Sequence, residues 1–218
     1  MSRTWLLGLA VAVACAPAGA NAVFPDPVVD LALTATASQE TAVFAGGCFW
    51  GVEAVFEHVK GVIDSVSGYS GGSARDASYE LVSSGRTQHA ESVKVTYDPS
   101  QVSYGQLLKV FFAVAHDPTE VNRQGPDAGP QYRSAIFVNG EAQGRIATSY
   151  IAQLDAAKQF KRKIATEVVA LLAFHQAEAY HQNYADRHPN DLYIMINDRP
   201  KVYELRREYP SLYVERRR

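Results

Sequence analysis

The sequence predicts an α+β fold in a single domain: a mixed sheet with helices packed on it and a ferredoxin-like split βαβ core. Three observations carry the prediction. Strand-period and helix-period apolar patterns take turns along the chain, glycines and prolines punctuate them, and 218 residues suit one domain of ordinary size. Hydrophobic residues make up 47% and charged residues 20%, so a buried core is expected and disorder is not. With a formal net charge of -2, the chain lacks the basic footprint of a nucleic-acid binder.

Each element follows from its own pattern. Residues 42–45 form a short apolar run closed by Gly46-Gly47, as in a buried strand. Val52, Val55, Phe56 and Val59 recur at helical spacing before Gly61 stops them. Residues 62–69 alternate apolar and polar and end at Gly71-Gly72; residues 92–97 alternate again and stop at Asp98-Pro99. Ser103 and Gln106 make a capping box for a helix whose apolar face is Leu107, Leu108, Phe111 and Phe112. A long polar loop spans 116–131, of a length that is usually functional or disordered. A strand at 134–138, a helix at 141–163, a strand at 166–172 and a helix at 177–186 complete the order β-α-β-β-α-β-α-β and one further helix. Residues 200–213, charged and aromatic, would cap the domain. Residues 41–218 are therefore read as one catalytic domain, preceded by a linker or extended arm at 23–40.

Residues 1–22 read as an export signal peptide. Met1 to Arg3 give a positive start, an apolar run follows, and Ala18-Gly19-Ala20 and Ala20-Asn21-Ala22 fit the small-x-small cleavage pattern. The expected location is the bacterial periplasm. The alternative is a membrane-anchored lipoprotein attached through Cys15, against which Ala12 counts. Cys15 and Cys48 are the two cysteines, so cleavage after Ala22 would leave Cys48 alone and no internal disulfide possible.

Cys48 sits at a strand–glycine turn–helix junction. A helix N-terminus favours the thiolate, and the flanking glycines leave the sulfur approachable. Phe49 and Trp50 could wall an apolar pocket for a thioether-like group. The plain alternative is a buried, inert cysteine beside two core aromatics. His89, His116, His175 and His181 share no metal-ligand spacing, and no flavin or nicotinamide pattern occurs, so neither metal nor cofactor is expected.

Gly47-Cys48-Phe49-Trp50-Gly51 resembles the active-site signature of the A-type peptide methionine sulfoxide reductases. Gly68-Tyr69-Ser70-Gly71-Gly72, His89-Ala90-Glu91, Tyr97-Asp98-Pro99 and His116-Asp117-Pro118-Thr119 resemble later family segments in order. So do Asn122-Arg123-Gln124-Gly125, Gln131-Tyr132-Arg133-Ser134 and Ala177-Glu178-Ala179-Tyr180-His181-Gln182. The likeness runs from about residue 42 to 213. It implies reduction of methionine S-sulfoxide, free or in proteins, and hence repair of oxidised proteins under oxidative stress. Cys48 would be the nucleophile that becomes a sulfenic acid, and Glu91 the acid that protonates the oxygen. Tyr79 and Tyr132 would be hydroxyl donors to that oxygen. Phe49 and Trp50 would receive the methyl group, with Asp127, His181 and Tyr184 at the pocket rim.

Without the resemblance, Glu91 reads as an exposed charge and Tyr79 and Tyr132 as two among 12 tyrosines. Asp98 and Asp117 precede prolines and read as turn residues. The sequence departs from the family pattern at Gln88, Ala128 and Pro130. No cysteine follows Tyr184, where many relatives carry one or two to resolve the sulfenic acid. The implied partner is then an external reductant, a thioredoxin-like protein or a small thiol, acting on a monomer. A cysteine peroxidase and a non-enzymatic binder of methionine segments are the competing readings.

Overall fold

The 42–45 run lies at the centre of β1 (Glu40–Gly46), which is buried from Ala42 onward. The computed structural model describes residues 24–216; the readings of 1–22 and of Cys15 lie outside them. β1 passes into α1 (Phe49–Glu57) and then β2 (Val62–Ser70). After the short α2 (Tyr79–Ser83) comes β3 (Ala90–Tyr97), which pairs antiparallel with both β1 and β2 and so splits the first βαβ unit. α3 (Tyr104–Val110) runs on as a π-helical turn, Phe111–Ala115. The small hairpin β4 (Arg123–Gln124) and β5 (Asp127–Ala128) precedes β6 (Ser134–Val138), which pairs with the other edge of β1. The second unit is thus split by β1, and the inner order β6-β1-β3-β2 is the ferredoxin-like arrangement expected. α4 (Glu141–Ala156), β7 (Glu167–Ala170) and β8 (Phe174–Gln176) extend the sheet to β7-β6-β1-β3-β2-β8. α5 (Tyr184–Arg187) and α6 (Arg199–Glu208) follow, with Leu205 of α6 fully buried.

Phe44 shows how the helices seat on the sheet. Its ring stacks on Phe56 of α1 at 5.1 Å and on Phe111 after α3 at 5.0 Å. All three are fully buried, and each such side chain contributes roughly 1.5–3 kcal/mol. That packing seats the C-terminal turn of α1 and the end of α3 on β1.

Two predicted spans change. The helix expected to reach 163 ends at Ala156, with Lys158 left-handed at φ 52°; Asp155 then accepts the Ile164 N–H at 3.1 Å and returns Ile164 to the core. The helix expected over 177–186 is a single turn, α5, after an unanticipated strand, β8. Polar side chains override the helical period there. Gln182 accepts the Ser67 N–H at 3.0 Å and donates to the Ser67 carbonyl at 2.9 Å, extending β2 with a side chain. Glu178 accepts the Tyr79 N–H and the Tyr69 hydroxyl.

The segment before β1 is irregular but anchored. Asp26 pairs with Lys109 at 2.7 Å, and Thr34 donates to the Pro99 carbonyl at 3.0 Å. Asp30 accepts the Ser103 hydroxyl and the Gly105 N–H at the start of α3, where a carboxylate suits the helix dipole. The capping box at Ser103 and Gln106 is complete. Ser103→Ala removes both the cap and the Asp30 contact, so a loss of about 1–2 kcal/mol is expected in urea unfolding. A loss below about 0.5 kcal/mol would show that water replaces both bonds at no cost.

Candidate active site

The turn between β1 and α1 needs glycine. Gly47 has φ 89°, and a side chain there would collide with Gln124. The turn makes Cys48 the N-cap residue of α1, 8% exposed, with Phe49 and Trp50 in the first helical turn. Phe49 is buried, its ring centre 5.0 Å from His181 and 5.9 Å from Tyr69. Trp50 is half-buried and stacks on Tyr184 at 3.8 Å and 9°. Its indole N–H donates to His181 Nδ1 at 3.2 Å, and Tyr193 meets it edge-on at 6.1 Å. An aromatic wall thus rises directly beside the sulfur.

Glu91 is not the exposed charge that sequence reasoning alone would choose. It lies in β3, 2% exposed, and its carboxyl accepts the Phe49 N–H at 3.0 Å. Burial pushes its pKa up to about 8, Asp127 and Asp198 add to the rise, and the Phe49 bond opposes it. The carboxyl is therefore an acid at neutral pH.

Cys48 departs from the thiolate expected at a helix start. Burial pushes the thiol well above its ordinary value, and the Glu91 and Asp198 carboxyls add to the rise wherever they ionise. The Trp50 N–H and the Lys201 ammonium oppose that rise. The helix's first N–H is donated to Glu91, so the resting group is the thiol.

The remaining expected residues join the same cluster. Tyr79 opens α2, with its ring centre 4.4 Å from that of His181. Burial, then Glu91, raises the pKa of both the Tyr79 and the Tyr132 phenol, which keeps them neutral donors. Asp127 accepts the Tyr193 hydroxyl. His181 is 1% exposed, and burial lowers its pKa, so it stays neutral. Asp98 and Asp117 cap local turns through Ser100 and Thr119, as their positions before proline imply.

Three residues escaped sequence reasoning: Tyr193, Asp198 and Lys201. Asp198 is fully buried and pairs with Lys201 at 3.3 Å, both against the bare Cα of Gly51. Gly51, one turn after Cys48, signals that something approaches α1 closely, but nothing in the pattern says what.

Two outcomes follow from the charges. The unfolded chain releases the Glu91 proton near 4.5, whereas the folded chain holds it to about 8. Across that window the folded state binds more protons, so stability falls as pH rises, by up to about 1.4 kcal/mol per unit. Glu91→Gln keeps the acceptor for the Phe49 N–H, so its Tm should exceed that of wild type by a margin that widens from pH 5 to 8. A constant margin would mean that Glu91 is charged throughout. Lys201→Met should slow alkylation of Cys48 by iodoacetamide at fixed pH, up to about tenfold for each unit the thiol rises; faster alkylation would contradict the assigned charge pattern.

Comparison with known proteins agrees with this geometry. The family model described as peptide methionine sulfoxide reductase matches residues 40–212. The chain is 56% identical over 182 residues to peptide methionine sulfoxide reductase MsrA 2 of Mesorhizobium japonicum, covering 84% of this chain and 93% of that protein. It is 52% identical over 206 residues to the protein of the same name from Synechocystis, covering 93% and 96%. Among solved structures, reduced Mxr1 from Saccharomyces cerevisiae superposes with a TM-score of 0.64 at 31% identity, over 73% of this chain and 94% of that one. Methionine sulfoxide reductase A of Corynebacterium diphtheriae gives 0.60 at 38% identity, over 69% and 76%. By match, relatives and fold alike, the chain belongs to the peptide methionine sulfoxide reductase family.

Proposed function

We propose that the protein reduces methionine S-sulfoxide to methionine through a Cys48 sulfenic acid, with Glu91 as the proton donor. The observation that carries these roles is the buried Glu91 carboxyl, bonded to the N–H of the residue after Cys48 in a setting that raises its pKa to about 8. The Cys48 sulfur attacks the sulfoxide sulfur as Glu91 protonates the oxygen. The protonated oxygen then passes to the Cys48 sulfur as the substrate S–O bond and the transient S–S bond both break, releasing the thioether and leaving the sulfenic acid. The proton that Cys48 gives up restores Glu91, so thiol and sulfoxide become sulfenic acid and thioether. Tyr79 and Tyr132 donate hydrogen bonds to the oxygen as it gains charge. Phe49, Trp50 and Tyr184 enclose the methyl group, with His181 and Asp127 holding the aromatic side chains in place.

An external thiol then attacks the sulfenic sulfur, releasing water and leaving a mixed disulfide; a second thiol frees Cys48. Cys48 is the one cysteine among the described residues, which supports a donor outside the chain, a thioredoxin-like protein or a small thiol. Methionine sulfoxide in proteins is the proposed client, and the pattern of residues 1–22 supports action after export, in the periplasm.

Separate S and R sulfoxide epimers of a blocked methionine, with excess dithiothreitol, test the proposal by product chromatography. Turnover of S alone is expected, abolished in Cys48→Ser and lowered about 100-fold or more in Glu91→Gln. Failure to turn over the S epimer, with Cys48 reduced and accessible to alkylation, would sink it.

A further inference from the structure

Glu53 lies one turn along α1 from Phe49, is 1% exposed, and has no part in the chemistry described above. Its Oε2 accepts the backbone N–H of Asn183 at 3.0 Å. Asn183 is left-handed, with φ 54°, and the next residue is Tyr184, stacked on Trp50. Two residues earlier, His181 takes the Trp50 indole N–H. Between them, Gln182 is clipped to both backbone groups of Ser67 on β2. The short segment 181–184, which supplies two of the walls around Trp50, is thus pinned by β2 on one side and by Glu53 on the other.

A carboxyl is a costly anchor at such a place. Burial pushes Glu53 up to about 7, the Asn183 N–H and the Arg216 charge only partly offset it, and Oε1 is left with no partner. An apolar residue would pack there at less cost, but it would leave the Asn183 N–H unpaired at the turn that brings Tyr184 over Trp50.

We propose that Glu53 is a positioning residue for the methyl-receiving wall: by holding the Asn183 N–H, it keeps Tyr184 and His181 against Trp50 and so sets affinity for the sulfoxide. This rests on the reductase reading above. Glu53 bonds to the backbone of the wall, so its loss acts on KM and spares kcat.

The test compares wild type, Glu53→Leu, Glu53→Gln, Tyr184→Leu and the Glu53→Leu/Tyr184→Leu double variant with the S epimer. Glu53→Leu should raise KM about 10-fold with kcat within about 3-fold of wild type. Glu53→Gln, whose amide oxygen can take the same N–H, should restore KM to within about 3-fold of wild type. The double variant should match Tyr184→Leu, because the wall that Glu53 positions is already gone. Independent, multiplying effects, or a Gln variant as impaired as Leu, would overturn the inference. If Glu53→Leu does not fold, Glu53→Asp, one methylene short of Asn183, carries the same expectation. Absence of turnover in wild type would count against the reductase reading itself, whereas normal wild-type turnover with unchanged KM in the variants would remove only the role of Glu53.

Discussion

A single backbone hydrogen bond, from Phe49 at the start of α1 to the Glu91 carboxyl on β3, couples the proposed acid to the residue that follows Cys48. The fold makes it possible because β3 is threaded between β1 and β2, directly beneath the helix that β1 launches. Were Glu91 in water, it would be ionised at neutral pH and useless as an acid. Buried with no donor, it would hold its proton more tightly and leave an acceptor unpaired. The Phe49 N–H places it between those limits. The same bond takes from Cys48 one of the helix donors that would otherwise favour the thiolate, so acid and thiol both rest protonated. In the mechanism proposed above, the sulfoxide oxygen, once bound, takes a proton from this pair.

Such a site opposes stability. Glu53, Glu91 and Asp198 are buried carboxyls with raised pKa values, and the β1–α1 turn depends on a glycine in a conformation closed to other side chains. The opposing contribution comes from next door. Phe44, Phe56 and Phe111 stack between β1, α1 and the end of α3, and the chain before β1 is strapped to α3 through Asp26 and Asp30. The reacting groups can be strained electrostatically because the elements that carry them are held rigidly by apolar packing.

The legible parts of the sequence are those written locally. Strand, glycine stop and helix around Cys48 are short-range signals, and the structure realises them with the cysteine at the cap position. Glu91 was not legible from pattern alone, because both faces of β3 are buried at its start and alternation there carries no information about exposure. Residues 177–186 misled for the opposite reason: their helical period is real, but Glu178 and Gln182 bond across to Tyr79 and Ser67, contacts about a hundred residues away in sequence. Tyr193, Asp198 and Lys201 reach the site by the same kind of long-range return. Resemblance to a family supplied Glu91 and the tyrosines, but not these three.

That returning segment bears on how the cycle closes. Tyr193 binds Asp127, and Asp198 with Lys201 rests on Gly51, so the chain beyond Tyr184 brings a phenol, a carboxyl and an ammonium to Cys48 and no thiol. None of these groups can reduce a sulfenic acid, and Cys48 is the one thiol among the described residues, which favours the external thiol donor proposed above. Cys48 offers only 8% of its surface, beneath the aromatic wall that receives the substrate. A sulfur so enclosed leaves little room for thioether and incoming thiol together. In the cycle proposed above, methionine would therefore have to depart before the reductant could reach the sulfur.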